Sequence, residues 1–205
     1  VDISNNIIYG LKGHGSGSAT NNTWGIMLLD GGGYNIYFNS INIPDNRTST
    51  GSSDVQGGLY IASTVTNLNV RNNVISVTGA PGNLTSGSMY AVYSLATSPF
   101  TTSNYNSYYV TGSLNRVGFI SSTAQATLTA WQTASGQDAN SISSDPLFNS
   151  NTVLAPVTGS PLLAAGVQIS GFTTDYVGAN RNNPPSIGAY ENAGDYAPPT
   201  ISYTN

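Results

Sequence analysis

The sequence predicts an all-β fold: a parallel β-helix, or solenoid, of roughly 33-residue coils, with long loops on one corner and a C-terminal capping segment holding one short helix. Three observations point there. The first is a recurring asparagine. In DISNNIIYG (2–10), NIYFNSINI (35–43), NVRNNVISV (69–77) and TSNYNSYYV (102–110), an Asn is followed by one variable residue and then an apolar or aromatic one. These are Asn6, Asn39, Asn73 and Asn106, spaced by 33, 34 and 33. The second is a series of small residues flanked by apolar ones: Gly25, Gly58 and Ala91, again 33 apart. The third is composition. Charged residues are only 7%, while turn-forming and β-forming types abound. A fixed period of this length marks a stack of equivalent units rather than a set of hairpins.

Each coil then reads in order. Ile3, Ile36 and Val70 precede their Asn by three residues, and Ile8, Ile41, Ile75 and Tyr108 follow it by two. These are expected in the core. So are Ile26, Leu28, Leu59, Ile61, Val92, Phe119 and either Met27 or Met89. Asn visits left-handed backbone more readily than other side-chain-bearing residues, and identical amides can stack from coil to coil. Asn6, Asn39, Asn73 and Asn106 are therefore expected to form an internal ladder, with Asn73 as a corner residue. NRVGFISS (115–122) reads as a fourth member of the small-residue series, although Gly118 arrives only 27 residues after Ala91.

Long polar inserts separate the two strand series at 11–22, 44–56 and 78–88; the fourth, TGSLN, is short. Equivalent loops of a solenoid fall on one face, often a binding face. Asp45, Asp54 and Arg47 lie in the second insert, and Arg71 lies in a neighbouring strand. Paired carboxylates there could serve hydrolysis or hold Ca²⁺, the one cofactor considered. Tyr37, Tyr60 and Tyr93 could stack on sugar rings while their hydroxyls hydrogen-bond. These seven residues are the candidate ligand-binding set. No catalytic residue is assigned. His14, the single His, sits in the glycine-rich GHGSGS.

After residue 120 the texture changes. TAQATLTAWQTASG (123–136) is the one helix expected, with Ala124, Ala126, Leu128, Ala130 and Trp131 on its apolar face and Gly136 as its stop. Asp145–Pro146 is expected to turn the chain. TVLAP (152–156) and SIGAYE (186–191) are expected as further short strands. Residues 1–193 thus form the solenoid with its cap, the cap from about 120. Residues 194–205 read as a linker into a following β-domain, and Val1 as a start in mid-pattern.

Five basic residues spread along a chain of net charge −4 argue against nucleic acid. No apolar run is long enough to span a membrane, and cysteine is absent.

The NN-apolar coils at 5–8 and 72–75 resemble those of right-handed parallel β-helix proteins of the pectin-lyase-like class. LTAWQTASGQDANSISSDPLF (128–148), GSPLLAAG (159–166) and PPSIGAYE (184–191) resemble the closing segments of secreted bacterial members, many from Bacteroidetes multidomain surface proteins. Where such proteins place an Asp, this chain has LAAG at Leu163–Gly166; Asp175 and Arg181 could preserve part of that polar network. The resemblance implies an extracellular or cell-surface location. It leaves open a non-catalytic structural or adhesive module contacting polysaccharide or cell-surface glycans, a polysaccharide lyase or glycoside hydrolase (or the C-terminal half of one), and a glycan-binding module using exposed tyrosines.

Overall fold

The computed structural model describes residues 1–12, 22–44, 55–79 and 88–194. Among these the chain is all-β, with one short helix and three sheets of mainly parallel strands. The first sheet holds β1 (Asp2–Ser4), β4 (Asn35–Tyr37), β7 (Leu68–Arg71) and β10 (Phe100–Asn104). The second holds β2 (Ile7–Ile8), β5 (Ser40–Ile43), β8 (Val74–Val77) and β11 (Ser107–Val110). The third holds β3 (Trp24–Leu28), β6 (Val55–Ile61), β9 (Ser88–Ser94) and β12 (Arg116–Ile120), closed by the antiparallel β13 (Thr123–Gln125). Each strand pairs with its equivalent one repeat away: Ile3 with Ile36 with Val70, and Ile8 with Ile41 with Ile75 with Tyr108.

The three sheets share one core of Ile26, Leu28, Ile36, Ile41, Leu59, Ile61, Val70, Ile75, Val92 and Tyr108, with Met89 rather than Met27 filling the methionine place. Ile3 and Ile8, in the first repeat, are only partly buried against it. Phe119 stands outside this cluster.

The paired residues at each corner have two roles. Asn5, Phe38, Asn72 and Tyr105 adopt left-handed backbone at φ of 54–59°. The residue after each is the ladder Asn. Asn73 is thus the ladder member and Asn72, not Asn73, makes the corner. Asn6 Nδ2 donates to Asn39 Oδ1 at 2.8 Å, Asn39 Nδ2 to Asn73 Oδ1 at 2.9 Å, and Asn73 Nδ2 to Asn106 Oδ1 at 3.1 Å. Each Oδ1 also accepts the backbone N–H of the preceding ladder Asn. Each Nδ2 from Asn39 onward also donates to a carbonyl one repeat back, at Ile3, Ile36 and Val70. A hydrogen bond nets ~0.5–1.5 kcal/mol, less than the ~1.5–3 kcal/mol of a buried Ile or Leu. The core therefore drives folding and the ladder sets register, because a slip would strand its amides in apolar surroundings.

The ladder ends on residues the periodic pattern did not reveal. Asn106 donates its backbone N–H to Ser141 Oγ at 2.8 Å and its Nδ2 to Asp138 Oδ1 at 3.0 Å. Asp138 is buried and also accepts from Ser103 Oγ, Ser141 Oγ and Trp131 Nε1. Ser141 lies 35 residues after Asn106, and Asp138 sits three before Ser141. Asp138 therefore continues the column Ile3, Ile36, Val70 and Ser103, which passes from apolar to hydroxyl to carboxylate at the closing end.

Helix α1 (Leu128–Ser135) begins at an N-cap Thr127 and stops at Gly136, as expected. It is shorter than the sequence suggested, because residues 123–125 pair as β13 instead. Of the expected apolar face only Trp131 is buried. A Cβ at Gly118 would collide with the Trp131 ring, so glycine there is a packing requirement. Gly118 pairs with Val92, one place off the position aligned with Ala91.

The rest of the C-terminal third does not sit on the end of the stack. It runs back along the outside, with bonds to Asn72 in the third repeat, Ser40 in the second and Asn5 in the first. Residues 152–156 and 186–191 are not strands. Pro156 makes one isolated bridge, and Ile187, Gly188 and Ala189 donate to Leu162 O, Asn72 O and Ser40 Oγ. These partners are corner carbonyls and side chains rather than a ladder, so no strand forms. Asp145 does turn the chain, its Oδ1 accepting Leu147 N–H at 2.9 Å. Val74, Leu162 and Ile187 form a small second core under this segment, so β5 and β8 are buried on both faces.

Candidate functional site

The outer face of the third sheet gathers the aromatic side chains. A Cβ at Gly25 would lie 2.9 Å from Ile41 Cγ2, and one at Gly58 would collide with Ile75, so both positions face the core. The next residues, Ile26 and Leu59, are core too. Two consecutive inward residues shift the alternation, and the outward positions fall three apart: Trp24 with Met27, Gly57 with Tyr60, Tyr90 with Tyr93, Arg116 with Phe119.

Register then lines up Met27, Tyr60, Tyr93 and Phe119. Tyr60 stacks on Tyr93 at 6.0 Å and Tyr93 on Phe119 at 4.5 Å, both pairs within 10° of parallel. Gly57 leaves room for the Trp24 ring, which reaches Tyr60 at 5.2 Å and Tyr93 at 5.5 Å. Tyr90 meets Tyr93 edge-on at 5.0 Å. Trp24, Tyr60 and Tyr90 are buried, whereas Tyr93, Phe119 and Met27 are half-buried. The surface open to a ligand is therefore the Tyr93–Phe119 stack.

The candidate set divides accordingly. Tyr60 is a packing residue at 0% exposure, and its hydroxyl has no partner among the described residues. Tyr93 is the one member on the accessible aromatic surface. Tyr37 and Arg71 stand on the first sheet. Arg71 Nη2 donates to Tyr37 Oη at 3.0 Å, Tyr37 donates to Asn35 Oδ1, and Phe172 packs edge-on against Tyr37 at 5.2 Å. This pair holds the returning C-terminal segment. Asp45, Arg47 and Asp54 lie outside the described residues, as does His14. Phe119, expected in the core, lies on this outer column instead, because Val117 and Gly118 are the two consecutive inward residues of β12; neither it nor Trp24 was among the sequence candidates for the site.

Burial pushes the Tyr60, Tyr90, Tyr93, Tyr108 and Tyr109 hydroxyls above the ordinary phenol value of 10.0, Tyr108 furthest, with the Asp138 carboxylate adding to it. The folded state thus keeps protons that the unfolded chain releases near 10.0. Stability is fully present below that pH and falls as pH rises above it. The urea midpoint should drop between about pH 9 and about pH 11, and Tyr108→Phe should reduce the drop. An equal drop in that variant would remove Tyr108 as a cause.

Asp175 and Glu191 are structural. Asp175 accepts from Val177, Ala179 and Glu191 N–H. Glu191 pairs with Arg181 at 3.3 Å and accepts from Ser186. Burial lowers the Arg181 pKa to about 10, and Glu191 and Asp175 offset only part of that loss. Asp30 is exposed, with Oδ1 accepting Gly31 N–H at 2.8 Å. Among the described residues no three His, Asp or Glu side chains converge as metal ligands, and no helix is long and apolar enough to cross a membrane. No protein-family model, curated protein or solved structure matches the chain.

Proposed function

We propose that the chain is a right-handed parallel β-helix module, a structural and adhesive part of a secreted or cell-surface protein that holds glycans on the aromatic face of its third sheet. The observation that carries this reading is the half-buried Tyr93–Phe119 stack, backed by buried Trp24, Tyr60 and Tyr90. Parallel rings fixed by their neighbours offer a rigid apolar platform, and the face of a sugar ring packs on such a surface. The phenols stay protonated at neutral pH and can donate to sugar hydroxyls. An extracellular setting follows from the ligand. The non-catalytic part of the proposal rests on three of the described acids, Asp138, Asp175 and Glu191, which are each buried among structural donors, while the exposed Asp2, Asp30 and Asp145 stand on separate parts of the fold. A hydrolase or lyase would need an acid and a base meeting in one open groove.

Affinity electrophoresis in gels containing neutral polysaccharides tests the proposal. Tyr93→Ala and Phe119→Ala should each weaken retention about three- to tenfold, the scale of one aromatic contact, with native circular dichroism and urea midpoints lowered but well above the assay conditions. Wild-type retention in both variants would overturn the aromatic face as the site. Shortening of the polysaccharide during incubation would overturn the non-catalytic reading.

A further inference from the structure

A second binding site is built where the returning C-terminal segment fails to seal against the second sheet. The outward column of that sheet begins as Ser40 and Val74, which the segment covers. The next column, Asn42, Ser76 and Tyr109, runs in register across β5, β8 and β11. There the segment stands off, leaving a cavity of about 390 Å³ between this column with Thr78 and Thr111 on one side and 145–151 on the other. We propose that this groove binds a neutral oligosaccharide. The inference takes its ligand class from the glycan-binding reading above, but it does not use the aromatic face.

The lining decides the ligand. Asn42, Ser76, Thr78, Tyr109, Thr111 and Asp145 supply amide, hydroxyl, phenol and carboxylate groups, and among the described residues no basic side chain lines the cavity. An anionic ligand would meet Asp145 with no described cation to offset it. A hydroxyl-rich neutral ligand can donate to Asp145, exchange bonds with the exposed Thr78 and half-buried Thr111 hydroxyls, and lie on the half-buried Tyr109 ring. Asp145 has one oxygen committed to Leu147 N–H and its carboxylate also meets the Tyr109 hydroxyl, which fixes the two ligand-facing groups relative to each other. Asn42 Nδ2 is tied to Asn151 O at 3.2 Å, which holds the far wall at a set width. The size falls within that of small-ligand sites. Repeat spacing of ~4.8 Å along the column also gives an extended chain successive polar groups to meet.

The test is binding of gluco-, manno-, galacto- and xylo-oligosaccharides to the intact chain, measured by titration calorimetry and by ligand-observed NMR. Tyr109→Ala and Asp145→Asn should each weaken binding at least tenfold, while the Tyr93→Ala variant retains a site. Loss of all binding in Tyr93→Ala, with none in Tyr109→Ala or Asp145→Asn, would overturn the groove and leave the aromatic face standing. Wild-type affinity and stoichiometry in every variant would overturn both sites. No binding of any of the four sugars by the wild-type chain would overturn the neutral-saccharide assignment of the groove. Preferential binding of their acidic counterparts would do the same.

Discussion

Asn73→Ala is expected to destabilise the fold by ~3–5 kcal/mol, a large part of the total stability of a domain. Asn73 is buried, and its Oδ1 receives both the N–H and the Nδ2 of Asn39. Its Nδ2 serves Ile36 O, Arg71 O and Asn106 Oδ1. Truncation leaves several of these without a partner where water cannot reach, at ~1–3 kcal/mol each. The same change at Asn6 should cost under about 1 kcal/mol, because Asn6 is exposed and no preceding rung depends on it. Asn72→Ala should fall between. It puts Ala into left-handed backbone and removes the two-bond contact with Val167. Urea unfolding of the three variants orders them. Equal costs at Asn6 and Asn73 would show that the ladder's burial is not what gives it weight.

Arg181→Ala is expected to cost a similar ~3–5 kcal/mol by a different route. The guanidinium lies 3.7 Å from the Phe38 ring centroid and pairs with Glu191. Its Nη2 donates to Asn5 Oδ1 at 2.7 Å and Gly188 O at 3.2 Å. Removing it leaves the Glu191 carboxylate, 1% exposed, without its cation. It also uncovers a Phe held in left-handed backbone at φ 54°. The double variant Arg181→Ala/Glu191→Gln should be more stable than Arg181→Ala alone, since the stranded charge is gone. A double variant no better than the single would assign the loss to Phe38 and Asn5 instead. Arg181→Lys should not restore the wild-type midpoint, because an ammonium lacks the planar fork that serves three acceptors and a ring at once.

The parts of the molecule written in periodic code were legible in the sequence. The Asn spacing located the ladder residue by residue, and the apolar positions before and after it located the core of the first two sheets. The small-residue series located the third sheet, and Gly25 and Gly58 prove to be small because two neighbouring positions both face inward. What escaped was aperiodic. Ser141 and Asp138 close the ladder with different side chains, so a search for Asn passes over them. Phe38 and Tyr105 occupy the corner that Asn5 and Asn72 fill elsewhere, and bulky residues give no signal for left-handed backbone. The path of residues 145–192 was hidden for the same reason. Its bonds go singly to corner carbonyls and side chains, and such contacts leave no spacing to read. For the candidate site, Tyr93 was identified together with two tyrosines that the structure buries. Only strand register separates a stacked outer column from a packed one, and register depends on the inward glycines.

The reversed path of the C-terminal segment bears on the order in which the molecule is completed. Asn5 meets Thr174 and Arg181 across 169 and 176 residues. Contacts that far apart in sequence form slowly and late. During synthesis the first repeat leaves the ribosome long before the segment that covers it exists. Its outer corner must stay soluble, uncovered and unpaired while the later repeats are added. The low charge and the scarcity of large apolar side chains at Asn5, Asn6 and Ser4 suit that wait. The repeat at residues 2–10 is thus covered after the repeats that follow it, and a truncation that removes residues beyond 170 would open that repeat rather than the one at 102–110.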